Sequence, residues 1–127
     1  MPEKPDALFH PDGDRYVPTE LTRGPWDPDA MHGGAPGALL ARAIEAFEPG
    51  PACHVARLTI DLLRPVPLVP VEVRTRMVRP GKKVQIVEAS VIAADTEVVR
   101  MTALRLREVE LALPDLSDGG RLEPGPT

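Results

Sequence analysis

The sequence WDPDAMHGGAPGALLARAIEAF, residues 26–47, contains the one helix that the rest of the chain is expected to cover. Its apolar residues recur at helical spacing and leave only a narrow polar edge at Arg42 and Glu45. The EPGP sequence that follows ends the helix, because proline cannot continue it. We therefore expect a buried helix, with the small residues Ala38 and Ala41 lying under a sheet.

A His-Gly-Gly sequence, His32, Gly33 and Gly34, stands at the start of this helix. The first turn of a helix offers free backbone N–H groups and a partial positive charge, so it can hold a carbonyl oxygen that becomes negative during a reaction. The glycines either let such an oxygen approach closely or merely permit a tight turn and close helix–sheet packing. His32, the only titratable group directly at the turn, either bonds a substrate or braces the loop.

Four strands are predicted after the helix. Apolar and polar residues alternate in two of them, with Ala56, Leu58, Ile60 and Leu62 as one apolar set and Val71, Val73, Thr75 and Met77 as the other. RPGKK at 79–83 predicts the turn into the next strand. Before the helix, Tyr16 and Val17 are the first plausible strand residues. The prediction is an α+β fold in which an antiparallel sheet wraps one long central helix.

The apolar face changes side in the last two predicted strands. The change falls between Ile86 and Val87 in one strand and between Ala103 and Leu104 in the other. Such a phase change indicates either a β-bulge or a stretch that is covered on both faces.

Composition excludes several classes of protein. The 127 residues suit one domain, and a net charge of −4 with only four aromatic residues argues against nucleic-acid binding. The single cysteine, Cys53, excludes an internal disulfide, and His10, His32 and His54 are too dispersed to bind a metal. No apolar run suits a signal peptide or a membrane span, and no glycine loop suits a phosphate. We expect a cytoplasmic protein without a cofactor, a metal or a membrane partner.

Three stretches in fixed order carry a resemblance to a known family: GPWDP…HGG at the helix start, then RLTIDLLRPVP, then VRTRMVRPGKKVQIVEASV. Together they resemble the acyl-CoA thioesterases of the TesB-like group, in particular the N-terminal half of their double hot-dog architecture. The resemblance implies a hot-dog domain at 15–108, preceded by an N-terminal arm at 1–14. The tail at 109–127 would correspond to the linker between the two halves.

The resemblance implies an enzyme that hydrolyses acyl-CoA to a free acid and CoA, or the N-terminal half of such an enzyme. Thioester hydrolysis needs a polarised carbonyl, an activated water or carboxylate nucleophile, and a channel for the substrate. The catalytic candidates are Gly34, Gly33, His32 and Asp61. The substrate-binding candidates are Trp26, Thr59, Gln85, Arg79 and Lys82. The basic residues of RPGKK either meet the CoA phosphates or form a solvated hairpin tip.

The carboxylate needed for hydrolysis is missing from its usual position. Single hot-dog thioesterases with a His-Gly-Gly turn carry an Asp or Glu about two turns into the helix, where this chain has Ala41 and Arg42. Glu45 is the nearest acid in the helix, and a solvated edge is its simpler interpretation. In TesB-like enzymes the hydrolytic Asp, Thr and Gln sit mainly in the C-terminal half, and Asp61 with Thr59 matches that set only loosely.

Two other functions stay open. In the first, the domain binds acyl-CoA or another acyl ligand without hydrolysing it, and the missing helical acid favours this function. Alternatively it belongs with other hot-dog enzymes such as hydratases, although their usual Asp/His pairing on the loop into the helix is absent. A lone hot-dog domain leaves a sheet edge and one side of its ligand groove unfinished, so we expect a homodimer or a pairing with a second hot-dog half.

Overall fold

The computed structural model describes residues 4–47, 52–114 and 124–126. The elements in chain order are β1 (Phe9–Asp12), β2 (Arg15–Pro18), a 3₁₀ helix (Glu20–Thr22), α1 (Gly34–Ala46), β3 (Cys53–Leu62), β4 (Val71–Arg79), β5 (Val84–Ala93) and β6 (Thr96–Arg107). The strands form one antiparallel sheet in the order β1-β2-β4-β5-β6-β3. Within the described ranges, no helix has the length and apolarity needed to span a membrane. The predicted α+β architecture is confirmed.

β1 lies inside the range 1–14 that the sequence predicted as an arm. It pairs with β2 across a turn in which Gly13 has a φ of 62°, and β2 pairs in turn with β4. The four residues of β1, FHPD, show no apolar alternation, so the pattern gave no strand before Tyr16. Pro11 is tolerated because β1 lies at the edge of the sheet.

One side of α1 packs on the inner face of the sheet. Leu40 and Ile44 are fully buried there, in a cluster with strand residues that include Val87, Val91, Val99 and Met101. Ala41 is half-buried against this cluster, whereas Ala38 is exposed. The prediction that Ala38 lies under the sheet is therefore wrong, because α1 buries one side and leaves the other open.

The expected changes of apolar face in the last two strands are not found in β5 and β6. Inward positions alternate and are buried in the first part of β5 and the last part of β6, at Gln85, Val87, Ala89 and Val91 and at Met101, Ala103 and Arg105. Two register shifts lie opposite these positions in the neighbouring strands, between Met77 and Arg79 of β4 and between Val55 and Arg57 of β3. A third lies between β5 and β6, at Val91 and Ile92. Polar side chains at the inward positions Gln85 and Arg105 produced the apparent phase change.

Arg105 binds the C-terminal end of α1. Its side chain is buried, and its Nη1 atom donates to the carbonyl oxygens of Ile44 at 3.0 Å and Phe47 at 2.8 Å. The last carbonyls of a helix have no partner within the helix, and a cation is favoured at that end of the helix dipole. This contact fixes the end of α1 to β6.

Candidate functional site

A hydrogen-bonded loop connects the 3₁₀ helix to α1. The N–H of Gly24 donates to the carbonyl of Ala30 over 2.8 Å, which closes the loop on itself. The N–H of Met31 donates to the carbonyl of Val66, also over 2.8 Å, and so ties the loop to the segment after β3. These bonds fix the position at which α1 begins.

Trp26 stands in this loop with 95% of its surface exposed. Next to it, the Asp27 carboxylate accepts from the N–H of Asp29 over 2.9 Å and forms a tight turn. The Arg23 guanidinium donates to the Glu20 carboxylate over 2.9 Å. That hydrogen bond and the charge of Arg23 lower the pKa of Glu20, and the same bond raises the pKa of Arg23. The indole is thus presented to solvent on a braced turn.

The first N–H groups of α1 are open. Gly33 is the N-cap residue, with φ −62° and ψ −25°, and no side chain caps the helix. Helical bonding begins with Ala35 N–H to the His32 carbonyl at 3.2 Å and Gly37 N–H to the Gly33 carbonyl at 3.3 Å. Within the described part of the chain, the N–H groups of Gly33 and Gly34 have no acceptor, and both residues are exposed. Two donors at the positive end of the helix dipole are available to an oxygen ligand.

The backbone does not require glycine at either position. Neither Gly33 nor Gly34 has a positive φ. A Cβ on Gly33 would meet only the Cδ1 atom of Leu62, at 3.2 Å, and a Cβ on Gly34 would lie 3.3 Å from Nδ1 of His32. The Leu62 contact is with the end of a flexible side chain, whereas the His32 ring is held by its hydrogen bond to Leu21. A positive φ is therefore not the reason for either glycine, and both close packing and close approach of a ligand are consistent with them.

His32 braces the loop with its ring. Its Nε2 atom lies 2.9 Å from the carbonyl oxygen of Leu21, and its backbone N–H donates to the carbonyl of Thr22 over 2.8 Å. Because a carbonyl oxygen only accepts, Nε2 carries the hydrogen and Nδ1 of the neutral ring is an acceptor. Nδ1 lies on the side of Gly34. His32 thus holds the loop and leaves one acceptor beside the open N–H groups.

A cleft of about 260 Å³, lined mainly by apolar residues together with Arg64, adjoins Gly33. Met31 forms one wall, and the end of β3 with the residues that follow it, from Leu62 to Val66, forms the other. The Leu62 side chain is in contact range of Gly33 yet 58% exposed. The start of α1 therefore opens onto a partly apolar surface at the end of an edge strand, with Arg64 beside it.

Asp61 and Thr59 lie on the other side of the sheet. Leu62 faces α1, because a Cβ on Gly33 would contact it. Side chains alternate along a strand, so Asp61 and Thr59 face outward, and Asp61 is paired in register with Arg100. Within one chain, the structure does not bring either residue to the start of α1.

Gln85, Arg79 and Lys82 lie toward the other end of α1. Gln85 is buried, and its amide donates to the carbonyl of Gly81 over 3.2 Å. It is paired in register with Arg105, which binds the C-terminal end of the helix. Arg79 donates to a backbone carbonyl within the β4–β5 hairpin at 3.1 Å, and Lys82 is exposed at its tip. The 13 residues of α1 span about 18 Å, so Gly34 lies about that far along the helix axis from the end near Gln85.

No carboxylate contacts the start of α1 in the described ranges. The hydrogen bonds of His32, Gly33 and Gly34 among the described residues involve backbone partners only. Glu45 is exposed, near the far end of the helix. Among the same described residues, no three His, Cys, Asp or Glu side chains are grouped so that they could hold a metal ion. Among the described residues, the start of α1 thus presents two open N–H donors and no hydrogen-bonded carboxylate beside them.

The sequence did not identify the exposed inner face of β3. Leu58 and Ile60 point toward the helix side, yet their surfaces are 40% and 44% exposed. Alternation predicted a half-buried strand but does not distinguish a central strand from an edge strand. A second cavity lies between β1 and α1. The sequence did not indicate this cavity, because its pattern did not predict the strand β1.

Residues 22–106 match the family described as acyl-CoA thioesterase N-terminal domain. No curated protein matches the chain. Among solved structures, a phenylacetic acid degradation-related protein from Ralstonia eutropha JMP134 has 26% identity and a TM-score of 0.61, over 72% of each chain.

Two further solved structures share the fold at lower identity. The PaaI protein of E. coli, from the phenylacetic acid degradation operon, has 18% identity and a TM-score of 0.66, over 75% of this chain and 70% of its own. A Streptococcus mutans UA159 protein bound to acetyl-CoA has 15% identity and a TM-score of 0.65, over 84% of this chain and 96% of its own. The hot-dog fold is thereby confirmed.

Proposed function

Because the chain belongs to the family of acyl-CoA thioesterase N-terminal domains, we propose that it binds the thioester of acyl-CoA at the start of α1. The thioester carbonyl oxygen accepts from the N–H groups of Gly33 and Gly34. One observation carries this proposal: both N–H groups are exposed and lack a protein acceptor among the described residues, at the positive end of a helix. The acetyl-CoA bound by the Streptococcus mutans neighbour supports a CoA ester as the ligand class.

The two donors polarise the carbonyl and stabilise the negative oxygen that forms when a nucleophile attacks. One such donor is typically worth a factor of about 10²–10³ in rate. His32 keeps the loop in place through Leu21, and its Nδ1 accepts a hydrogen bond from a water or from the pantetheine amide. These residues perform binding and electrostatic activation, which are only part of hydrolysis.

The nucleophile comes from outside this hot-dog unit. No carboxylate contacts the helix start within the described ranges, and Asp61 faces the other side of the sheet. We therefore propose a TesB-like arrangement in which a second hot-dog half, or a second copy, completes the site. The exposed inner face of β3 is where it joins, since an edge strand offers unpaired backbone groups beside Leu58, Ile60 and Leu62.

Other parts of acyl-CoA meet more distant candidates. Trp26 offers a flat apolar surface beside the helix start, and Arg79 and Lys82 offer positive charge to the phosphates. Thr59 and Asp61 reach a ligand only if it extends across the β3 edge to the outer face. A cytoplasmic location remains part of the proposal.

A second candidate function is acyl-CoA binding without hydrolysis, and the missing carboxylate contact favours it. Both functions are tested on the full chain with a panel of acyl-CoAs, by release of the CoA thiol and by calorimetric titration. Release of thiol that depends on Gly34 supports an enzyme, and binding without release supports the second function. The absence of both binding and release across the panel would contradict the proposal.

A further inference from the structure

An apolar cavity of about 450 Å³ lies between the β1–β2 hairpin and the open side of α1. Phe9 and Tyr16 form its hairpin wall, and Leu39, Ala43 and Arg42 belong to its helix wall. The volume falls within the usual range of small-molecule sites, which are mostly apolar with a few placed polar groups. This cavity is separate from the cleft beside Gly33 and from the β3 edge, and the proposed function has not used it.

The polar side chains in the lining are donors. Arg42 makes no ion pair or hydrogen bond with the described residues, and the Tyr16 hydroxyl likewise has no protein partner among them. The lining contains no carboxylate. An arginine without a carboxylate at an apolar cavity is complementary to an anionic group on an otherwise apolar ligand.

The cavity begins one helical turn from the proposed thioester position. Gly34 and Ala38 are neighbours on the same side of α1, four residues apart, and both are exposed. Ala38 lines the cavity, and Arg42 follows one turn later. At 1.5 Å per residue, Gly34 and Arg42 are separated by about 12 Å along the helix axis. A ligand with its thioester at Gly34 can therefore extend along the open side of α1 toward Arg42.

We propose that the acyl group held in this cavity ends in a carboxylate, so that the preferred ligand is a CoA monoester of a dicarboxylic acid. The methylene chain contacts Phe9 and Leu39, and the terminal carboxylate pairs with Arg42 and accepts from the Tyr16 hydroxyl. This inference rests on the proposed function, because it needs the thioester at the start of α1. The two are nevertheless separable by experiment.

The test compares ligand pairs by calorimetric titration of the full chain. Each pair is a CoA conjugate of a dicarboxylic acid and one of the monocarboxylic acid with the same number of carbons, over a series of lengths. In both, a methylene replaces the thioester sulfur, so that no hydrolysis occurs. At the best length we expect the carboxylated ligand to bind about fivefold tighter, which corresponds to a partly solvated ion pair.

Arg42→Met should abolish that preference, and Arg57→Met should keep it. Both arginines are exposed, and Arg57 lies on the outer face of β3, so the control removes the same charge away from the cavity. Equal affinities for both ligands in the wild type at every length, or a preference that survives in Arg42→Met, would overturn the inference and leave the proposed function standing.

Two other outcomes would also contradict the inference, each for a different reason. If neither kind of conjugate binds, the proposed function fails and this inference fails with it. If Arg42→Met converts a dimer to a monomer while the ligand preference is unchanged, a second copy of the chain occupies the cavity, and the inference is wrong.

Discussion

The Nε2 atom of His32 lies 2.9 Å from the carbonyl oxygen of Leu21. This bond joins the residue before the helix start to the 3₁₀ helix, and it occupies the ring nitrogen that points away from Gly34. The imidazole is therefore committed first to holding the loop. A direct role in proton transfer would have to use Nδ1 alone.

His32→Ala should reduce the free energy of unfolding by about 1 kcal/mol, the usual worth of one hydrogen bond. Acyl-CoA binding should weaken only moderately, because the backbone donors remain. Denaturant unfolding and calorimetric titration measure the two effects, and His54→Ala, an exposed histidine of β3, is the control. Complete loss of turnover with unchanged stability would instead assign His32 to an imidazole mechanism.

Arg105→Met should destabilise the domain by about 2 kcal/mol, because the buried carbonyl of Ile44 and the partly buried carbonyl of Phe47 lose their donor. Arg107→Met, two residues along and exposed, should change the midpoint of denaturant unfolding very little. Equal midpoints for the two variants would show that the contact at the end of α1 contributes nothing to stability.

Ala41→Leu should overpack the half-buried side of α1 and cost roughly 1 to 3 kcal/mol. Ala38→Leu places the same side chain on the open side, so its effect on stability should stay within about 0.5 kcal/mol. Denaturant unfolding of the two variants measures which side of α1 the sheet covers. A larger loss for Ala38→Leu would reverse the assignment.

The apolar periodicity of residues 26–47 was enough to predict α1, and RPGKK was enough to predict the β4–β5 turn, because these signals are local. Ala38 was misplaced because the small residues around α1 do not show which side the sheet covers. The contact made by Arg105 was not predicted. In the sequence, an inward-facing arginine gives the same pattern as a change of strand face, and only the structure shows the helix end that it binds.

One part of the candidate site was predicted from the sequence, and another predicted residue lies on the other side of the sheet. The backbone N–H groups of Gly33 and Gly34 follow from a local motif, and the structure leaves them open. Asp61 came from a loose match to a family motif, although the alternation of β3 already put it on the opposite face from Leu62. The second hot-dog half or second copy that we propose to complete the site is not encoded in any local pattern.

The β3 edge should make the chain a dimer in solution. Light scattering at tens of micromolar should give about 27 kDa, twice the 13.7 kDa of one chain. Ile60→Lys puts a charge on the exposed inner face of β3 and should yield monomers, whereas Val78→Lys, at an equally exposed residue of β4 that β5 and β6 separate from β3, should not. A monodisperse monomer of the wild-type chain would contradict the pairing.

The proposed function requires that the open N–H groups at Gly33 and Gly34 hold the thioester oxygen. Gly34→Val adds a side chain beside His32, at a position without a positive φ, so the domain should stay folded with a modest loss of melting temperature. Gly37→Ala is the matched control, since its Cβ would make only an ordinary 3.5 Å contact with Ile60.

The most direct measurement is the dissociation constant of a non-hydrolysable acyl-CoA analogue for the wild type and for these two variants, with the melting temperature of each. We expect that Gly34→Val abolishes binding, that Gly37→Ala binds like the wild type, and that both variants remain folded. Wild-type affinity in a folded Gly34→Val variant would show that the thioester oxygen is not held at the start of α1.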